Sequence, residues 1–260
     1  MISPLAHIHP EAQIGNNVTI EPFAMVHKDT VIGEGTWIGS HACILDGARI
    51  GKNCKIFQGA VISGVPQDLK FAGEITTAEI GDNSVIREYV TINRGTIDKF
   101  KTVIGKNCLI MAYVHAGHDC IIGNNVIIGN ATQLAGHVIV DDFAIFGGSC
   151  AVQQFIKIGA HSYIAGGSLI RKDIPPFVKA GREPVSYVGV NSVGLRRRGY
   201  TNEQISDIQE TYRYLYLRKL NNTKALESIE NQIRPSEERD EIVNFVRQSE
   251  KGVMKGVYQD

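Results

Sequence analysis

The chain has 260 residues, and its 27 Lys and Arg are matched by 27 Asp and Glu, giving a formal net charge of zero. That balance excludes whole-molecule attraction to nucleic acid and leaves only local clusters to recognise anions. No apolar run approaches the roughly 20 residues needed to span a bilayer, and residues 1–10 lack the basic start and apolar stretch of a signal peptide, so a cytoplasmic protein without an integral membrane segment is expected.

From the N-terminus an apolar residue returns at every sixth position: Ile8, Ile14, Ile20, Val26, Ile32, Ile38, Ile44, Ile50, Ile56 and Ile62. The same period resumes at Ile80, Ile86 and Ile92, and runs unbroken from Ile104 to Ile170. Four residues after each stands a second small or apolar residue, such as Cys108, Val114 and Cys120. Six is a strand period with a corner in it. Position i+4 and the next position i face inward, i+5 faces outward, and the residues between turn the chain. Gly123-Asn124-Asn125 is such a corner, of residue types that tolerate left-handed backbone. Three flat sides close a triangular coil of eighteen residues, the pattern of a hexapeptide β-helix. Of the five cysteines, Cys54, Cys108, Cys120 and Cys150 take the inward i+4 slot and read as small core residues rather than ligands.

The pattern lapses near 65–77 and again near 94–101, excursions that either serve binding or are tolerated insertions. After Ile170 the coil is expected to stop at Asp173-Ile174-Pro175-Pro176, because prolines cannot donate to a further ladder. A basic loop over 177–200 carries Lys179, Arg182 and Arg196-Arg197-Arg198. Thr201-Asn202-Glu203-Gln204 reads as a capping box, with Ile205, Ile208, Tyr212 and Leu215 on one stripe behind it. Shorter helices are expected after Thr223 and Ser236. The domains are therefore 1–176, a β-helix, and 201–260, a helical domain that can cover the last coil's open edge.

The register gathers several polar residues at one corner. His118 lies beneath Gly136, which lies beneath Gln154; Asp119 lies beneath His137 and Phe155. All are placed on the outside of the prism, with His115 on an adjoining flat side. A neutral imidazole there can act as a general base and a glycine amide can steady an oxyanion. Imidazoles from neighbouring coils can equally converge on zinc, as in a γ-carbonic-anhydrase-like enzyme, and a non-catalytic trimeric scaffold is a third reading. Spacing leaves the first two balanced.

The coil pattern resembles the left-handed parallel β-helix, and its hand is taken from that resemblance. The strings Gln67-Asp68-Leu69-Lys70-Phe71-Ala72-Gly73-Glu74, Ile92-Asn93-Arg94-Gly95-Thr96, His115-Ala116-Gly117-His118-Asp119-Cys120, Leu134-Ala135-Gly136-His137-Val138, Val140-Asp141-Asp142-Phe143-Ala144 and the segment from Gly189 to Gly199 resemble the UDP-N-acetylglucosamine O-acyltransferases of lipid A biosynthesis. The likeness covers essentially the whole chain. It implies a mainly β fold, a left-handed parallel β-helix with a C-terminal α-helical domain, assembled as a homotrimer with active sites between adjacent β-helices. It implies transfer of an (R)-3-hydroxyacyl group from acyl carrier protein to the 3-hydroxyl of UDP-N-acetylglucosamine, the first step of lipid A biosynthesis, with no cofactor or metal. His118 then matches the general base, Asp119 its neighbour and Gly136 the oxyanion amide. Asp68, Lys70, His115, His137 and Gln154 match substrate contacts; Asn191, Arg197 and Arg198 match contacts to nucleotide or acyl donor; Gly166 matches the end of the acyl groove. Two positions depart from the family pattern: Gln153 stands where a histidine is common, and Val193 where a carboxylate is common.

Overall fold

The computed structural model describes residues 1–218 and 220–256. From His7 to Ile170 the chain is a stack of short strands, most of them two residues long, joined by tight corners. Every third strand falls in the same sheet. Sheet I runs from His7–Ile8 to Leu169–Ile170, sheet II from Gln13–Ile14 to Lys157–Ile158, and sheet III starts at Thr19–Ile20. Paired strands are parallel and eighteen residues apart, as Ile122, Val140 and Ile158 show. The six-residue period thus closes the expected three-sided coil.

The inward slots make the core. Ile104, Cys108, Ile110, Val114, Ala116 and Cys120 are each no more than 1% exposed, and a fully buried aliphatic side chain of this kind contributes about 1.5–3 kcal/mol. Cys54, Cys108, Cys120 and Cys150 are buried and free, as their register requires.

The corners differ from expectation in their residue types. Left-handed backbone is held by Asn17, Asn53 and Asn125, but also by Asp119, His137, Phe143, Phe155 and His161. Left-handed geometry costs a non-glycine residue roughly 1–2 kcal/mol. It also aims each of these side chains up or down the corner, where rings stack: His137 on Phe155 at 4.6 Å and Phe143 on His161 at 4.8 Å. Such pairs return about 0.5–1.5 kcal/mol each.

Ile62 pairs with Ile92, thirty residues on, and Ile92 with Ala116, twenty-four on. Against a coil of eighteen, the excursions add twelve and six residues, and the register resumes unshifted. Both leave from sheet I and return to sheet II, between Val61–Gly64 and Thr77–Ile80 and between Thr91–Asn93 and Lys101–Ile104. They replace one corner, here called the I–II corner, in successive coils.

Pro175-Pro176 does not end the sheet, contrary to expectation. Ile174 bridges to Ile158, and Val178–Gly181 pairs in parallel with Tyr163–Ile164. The amide at this corner position, Gly123 for example, donates to the coil that follows. Beyond Pro175 no full coil follows: Asp173 bridges in parallel to Val253, and the donor missing at Pro175 ends that pairing. The segment 177–200 is likewise not a loop: Val178–Gly181 and Ser186–Val190 form an antiparallel pair, and Ser192–Arg197 is a short helix, α1. Helix α2, Asn202–Tyr216, begins in the expected capping box and buries Ile205, Ile208, Tyr212 and Leu215. Helices α3, Asn222–Gln232, and α4, Glu237–Arg247, follow; Asn221 rather than Thr223 caps α3. The Tyr212 hydroxyl donates to Pro176 O, and Lys255–Gly256 pairs with Ser186–Tyr187, closing the sheet edge. The expected helical part beyond residue 256 lies outside the described residues.

Candidate active site

The I–II corner of the coils after the second excursion carries His118, Asp119, Gly136 and His137. Its left-handed residues, Asp119 at φ 60° and His137 at φ 63°, send their side chains along the corner towards each other. His118 Nδ1 lies 2.8 Å from Asp119 Oδ2. An ionised carboxylate only accepts, so Nδ1 carries the proton and Nε2 is left as the free basic nitrogen. His137 meets the His118 ring edge-on at 5.0 Å, with its Nε2 3.6 Å from Asp119 Oδ2.

The pair lies on the outer side of the coil but is covered rather than exposed. Asp119 is fully buried and His118 is 7% exposed, because the second excursion folds over them. Thr96 N and Oγ1 donate to the Asp119 carboxylate at 3.0 and 2.6 Å, Lys99 N at 3.3 Å, and Lys99 Nζ reaches Asp119 O at 3.4 Å. Asp98, on the same excursion, lies 3.2 Å from His137 Nδ1. Burial alone would raise the Asp119 pKa, but the bonds from Thr96 and His118 outweigh it and hold the carboxyl below its usual range. Burial pulls His137 down, against the upward pull of Asp119. His115 is also pulled down, first by burial and then by His118, and its Nδ1 lies 2.8 Å from Thr91 Oγ1. Thr96, Asp98 and Lys99 were not singled out from sequence. The available signal was that their excursion interrupts the register one coil before His118 and at the same corner.

His118, Asp119 and His137 also have the separation of a metal-binding trio, their ligand atoms lying within 4.8 Å of one another. Against that reading, the Asp119 oxygens already accept from Thr96, Lys99 and His118. A cation would have to strip these bonds beside the Lys99 ammonium, at the desolvation cost of buried groups left unpaired.

Gly136 shapes the space around the base. A Cβ there would lie 2.6 Å from His118 Cε1 and Nε2, so only glycine lets the ring sit where it does. The amide at this coil position projects outward. At the corner between sheets II and III the equivalent amide is capped by an oxygen from the coil above: Lys52 N by Asp82 at 2.9 Å, Lys106 N by Asn124 at 2.9 Å and Asn124 N by Asp142 at 2.7 Å. Above Gly136 stands Gln154, and among the described residues the Gly136 N–H has no acceptor. The site therefore pairs a positioned imidazole with an amide open to an oxygen ligand.

Residues 173–254 match the model of UDP-N-acetylglucosamine O-acyltransferase domain 2, and residues 29–64 and 101–136 match the bacterial transferase hexapeptide model. An acyl-carrier-protein UDP-N-acetylglucosamine O-acyltransferase from Thermodesulfovibrio yellowstonii is 41% identical over 256 residues, covering 98% of this chain and 99% of that protein. The crystal structure of a UDP-N-acetylglucosamine acyltransferase from Bacteroides fragilis superposes with a TM-score of 0.97 at 51% identity, covering 98% of this chain and 100% of that one. The enzyme of that name from Francisella novicida gives 0.96 at 38%, covering 99% of this chain and 95% of that one. This chain belongs to the UDP-N-acetylglucosamine O-acyltransferase family. Its fold is the family's left-handed parallel β-helix with a helical C-terminal domain.

The remaining family positions do not all converge in this UDP-N-acetylglucosamine O-acyltransferase chain. Gln154 is exposed on the I–II corner above Gly136. Asp68 and Lys70 lie in the first excursion on the same corner, where Asp68 Oδ1 accepts the Lys70 amide at 2.9 Å. Gly166 is exposed at the corner between sheets III and I, across sheet I from His118, and a Cβ there would lie 3.1 Å from Gly148 O. Asn191, Arg197 and Arg198 lie at the third corner, between sheets II and III. Asn191 is buried, caps α1 and donates Nδ2 to His161 O at 2.9 Å. Arg198 donates to Phe143 O at 3.0 Å and lies over the Phe143 ring, while its Nη1 is buried without a partner among the described residues. Arg197 is exposed. Of the two departures, Val193 is exposed on α1, and Gln153 is exposed beside Gln154.

Proposed function

We infer that this chain transfers an acyl group from the thioester of acyl carrier protein to UDP-N-acetylglucosamine, with His118 as the general base. Family membership supplies the donor and acceptor. The observation that carries the base assignment is the His118 Nδ1 to Asp119 bond, which commits one ring nitrogen to a buried carboxylate and frees the other. The family resemblance makes the group an (R)-3-hydroxyacyl chain and the acceptor atom the sugar 3-hydroxyl.

In that reaction His118 Nε2 takes the hydroxyl proton as the sugar oxygen bonds to the thioester carbon. The carbonyl oxygen becomes an oxyanion, and the Gly136 N–H is the donor open to it. Collapse breaks the C–S bond, and the leaving sulfur takes the proton back from Nε2. Asp119 keeps the Nδ1 proton in place and stabilises the imidazolium formed in between.

A homotrimer belongs to the same reading. Asn191, Arg197 and Arg198 sit at a different corner from His118 in one chain, and a three-fold assembly sets unlike corners of neighbouring chains side by side. Arg197 and the unpartnered Nη1 of Arg198 then suit the diphosphate or the acidic carrier protein. A cytoplasmic location fits the free buried thiols, and no helix among the described residues is long and apolar enough to cross a membrane.

The test is turnover by His118→Ala and by His118→Gln, which fills the space of the ring. Both are expected to lose about 10²–10⁴-fold in kcat with an unchanged circular-dichroism spectrum. Activity within threefold of the parent in either variant would overturn the assignment.

A further inference from the structure

The two imidazoles of the site compete for one oxygen. Asp119 Oδ2 is 2.8 Å from His118 Nδ1 and 3.6 Å from His137 Nε2, so a small rotation of the carboxylate would transfer its bond from the base to the neighbour. The second excursion blocks that rotation from both sides. Thr96 grips both carboxylate oxygens, its amide on Oδ1 at 3.0 Å and its hydroxyl on Oδ2 at 2.6 Å, and is itself 6% exposed. Its carbonyl accepts from Phe100 N at 2.8 Å and its hydroxyl from Asp98 N at 3.3 Å, which folds the excursion into a closed turn. Asp98 supplies the second half. Its Oδ2 stands 3.2 Å from His137 Nδ1, not aligned as a hydrogen bond, and its negative charge favours the single proton of a neutral ring on that side, at Nδ1. His137 Nε2 is then a lone pair, with nothing to donate to Asp119.

We propose that Thr96 and Asp98 are positioning residues that reserve Asp119 for His118, Thr96 by fixing the carboxylate and Asp98 by fixing the tautomer of His137. Neither needs to touch substrate. The insertion at this corner is thus the outer part of the catalytic machinery. The inference rests on His118 being the base.

The experiment is a set of double-mutant cycles with saturating and limiting UDP-N-acetylglucosamine. Thr96→Val keeps the shape and removes the hydroxyl. It is expected to lower kcat on the order of tenfold, the cost of a lost hydrogen bond to a charged group, with KM for the nucleotide within twofold. Thr96→Ser should recover most of the loss. In an Asp119→Ala background Thr96→Val should have no further effect, because its target is gone. Asp98 is 63% exposed on its side chain, so Asp98→Ala should fold even where Thr96→Val does not. It should lower kcat severalfold at constant KM, and only while Asp119 and His137 are both present. Losses that simply multiply with that of Asp119→Ala, or a KM effect without a kcat effect, would overturn the proposal. Retained activity in His118→Ala would instead defeat the base assignment beneath it.

Discussion

His161 stands between the rings of Phe143 and Phe177, at 4.8 and 5.6 Å, with its Nε2 3.3 Å from the Tyr200 hydroxyl. Burial, then the Arg198 guanidinium, pulls its pKa from 6.5 down to about 4, against the opposing pull of Asp142. The unfolded chain therefore takes up a proton as pH falls below about 6.5, and the folded chain does not until about 4. The stability contributed is whole above that upper value and is lost on the way down to the lower one. Its ceiling is about 3 kcal/mol, which partial exposure of the ring reduces to on the order of 1–2 kcal/mol. Urea unfolding of the parent and of His161→Phe, measured between pH 7 and pH 4, should show the parent losing stability relative to the variant as pH falls. Parallel curves would show that the ring is not held neutral by its surroundings.

Among the elements, the corners carry the chemistry and the flat sides measure distance. Sheet I spans the gap between the corner holding His118 and the corner holding Gly166 and Gly148, roughly 15 Å at the rise of a strand. We propose that an acyl chain bound at the base runs across this face and up the stack to the glycine corner, where Gly166 marks its end. Each buried methylene contributes about 0.8 kcal/mol, so on that proposal a path left open at Gly166 favours long hydroxyacyl donors. A Cβ at Gly166 would lie 3.1 Å from Gly148 O, so a longer side chain is turned away from Gly148 and outward over the corner. Gly166→Met is expected to shift preference to shorter donors in competition assays over a graded thioester series. An unchanged ranking would place the end of the groove elsewhere.

At the scale of the whole molecule, the separation of His118 and Arg197 on different corners has a direct consequence. If each site takes its base from one chain and its arginine from the next, His118→Ala and Arg197→Ala chains can complement each other. Equal co-expression of the two inactive or weakened variants should give about one quarter of parental sites intact, by random mixing in a closed three-fold ring. Activity no higher than the sum of the separate variants would mean that each chain builds its site alone. Light scattering on the parent, expected to give three times the 28.5 kDa chain mass, checks the assembly independently.

The coil was legible without coordinates because its repeat is local: an apolar residue at i and a small one at i+4 decide which way each side chain points, and eighteen residues close a turn whatever lies elsewhere. That rule placed His118 beneath Gly136 and Asp119 beneath His137, and the equally local pattern Thr201-Asn202-Glu203-Gln204 put the capping box at the start of α2. It failed where contacts are not local. Pro175-Pro176 reads as a stop, yet Ile174 still pairs back to Ile158 and Asp173 on to Val253, because the prolines' acceptor side and the residues before them keep their bonds. The stretch 177–200 reads as a loop because its hairpin, Val178–Gly181 with Ser186–Val190, departs from the six-residue period, and the strand that covers its outer side, Lys255–Gly256, is distant in sequence. The burial of the His118–Asp119 pair was hidden for the same reason. Six extra residues in the coil before it carry no periodic signal, and only their fold, with Thr96 and Asp98 brought onto Asp119 and His137, turns an exposed corner into a site.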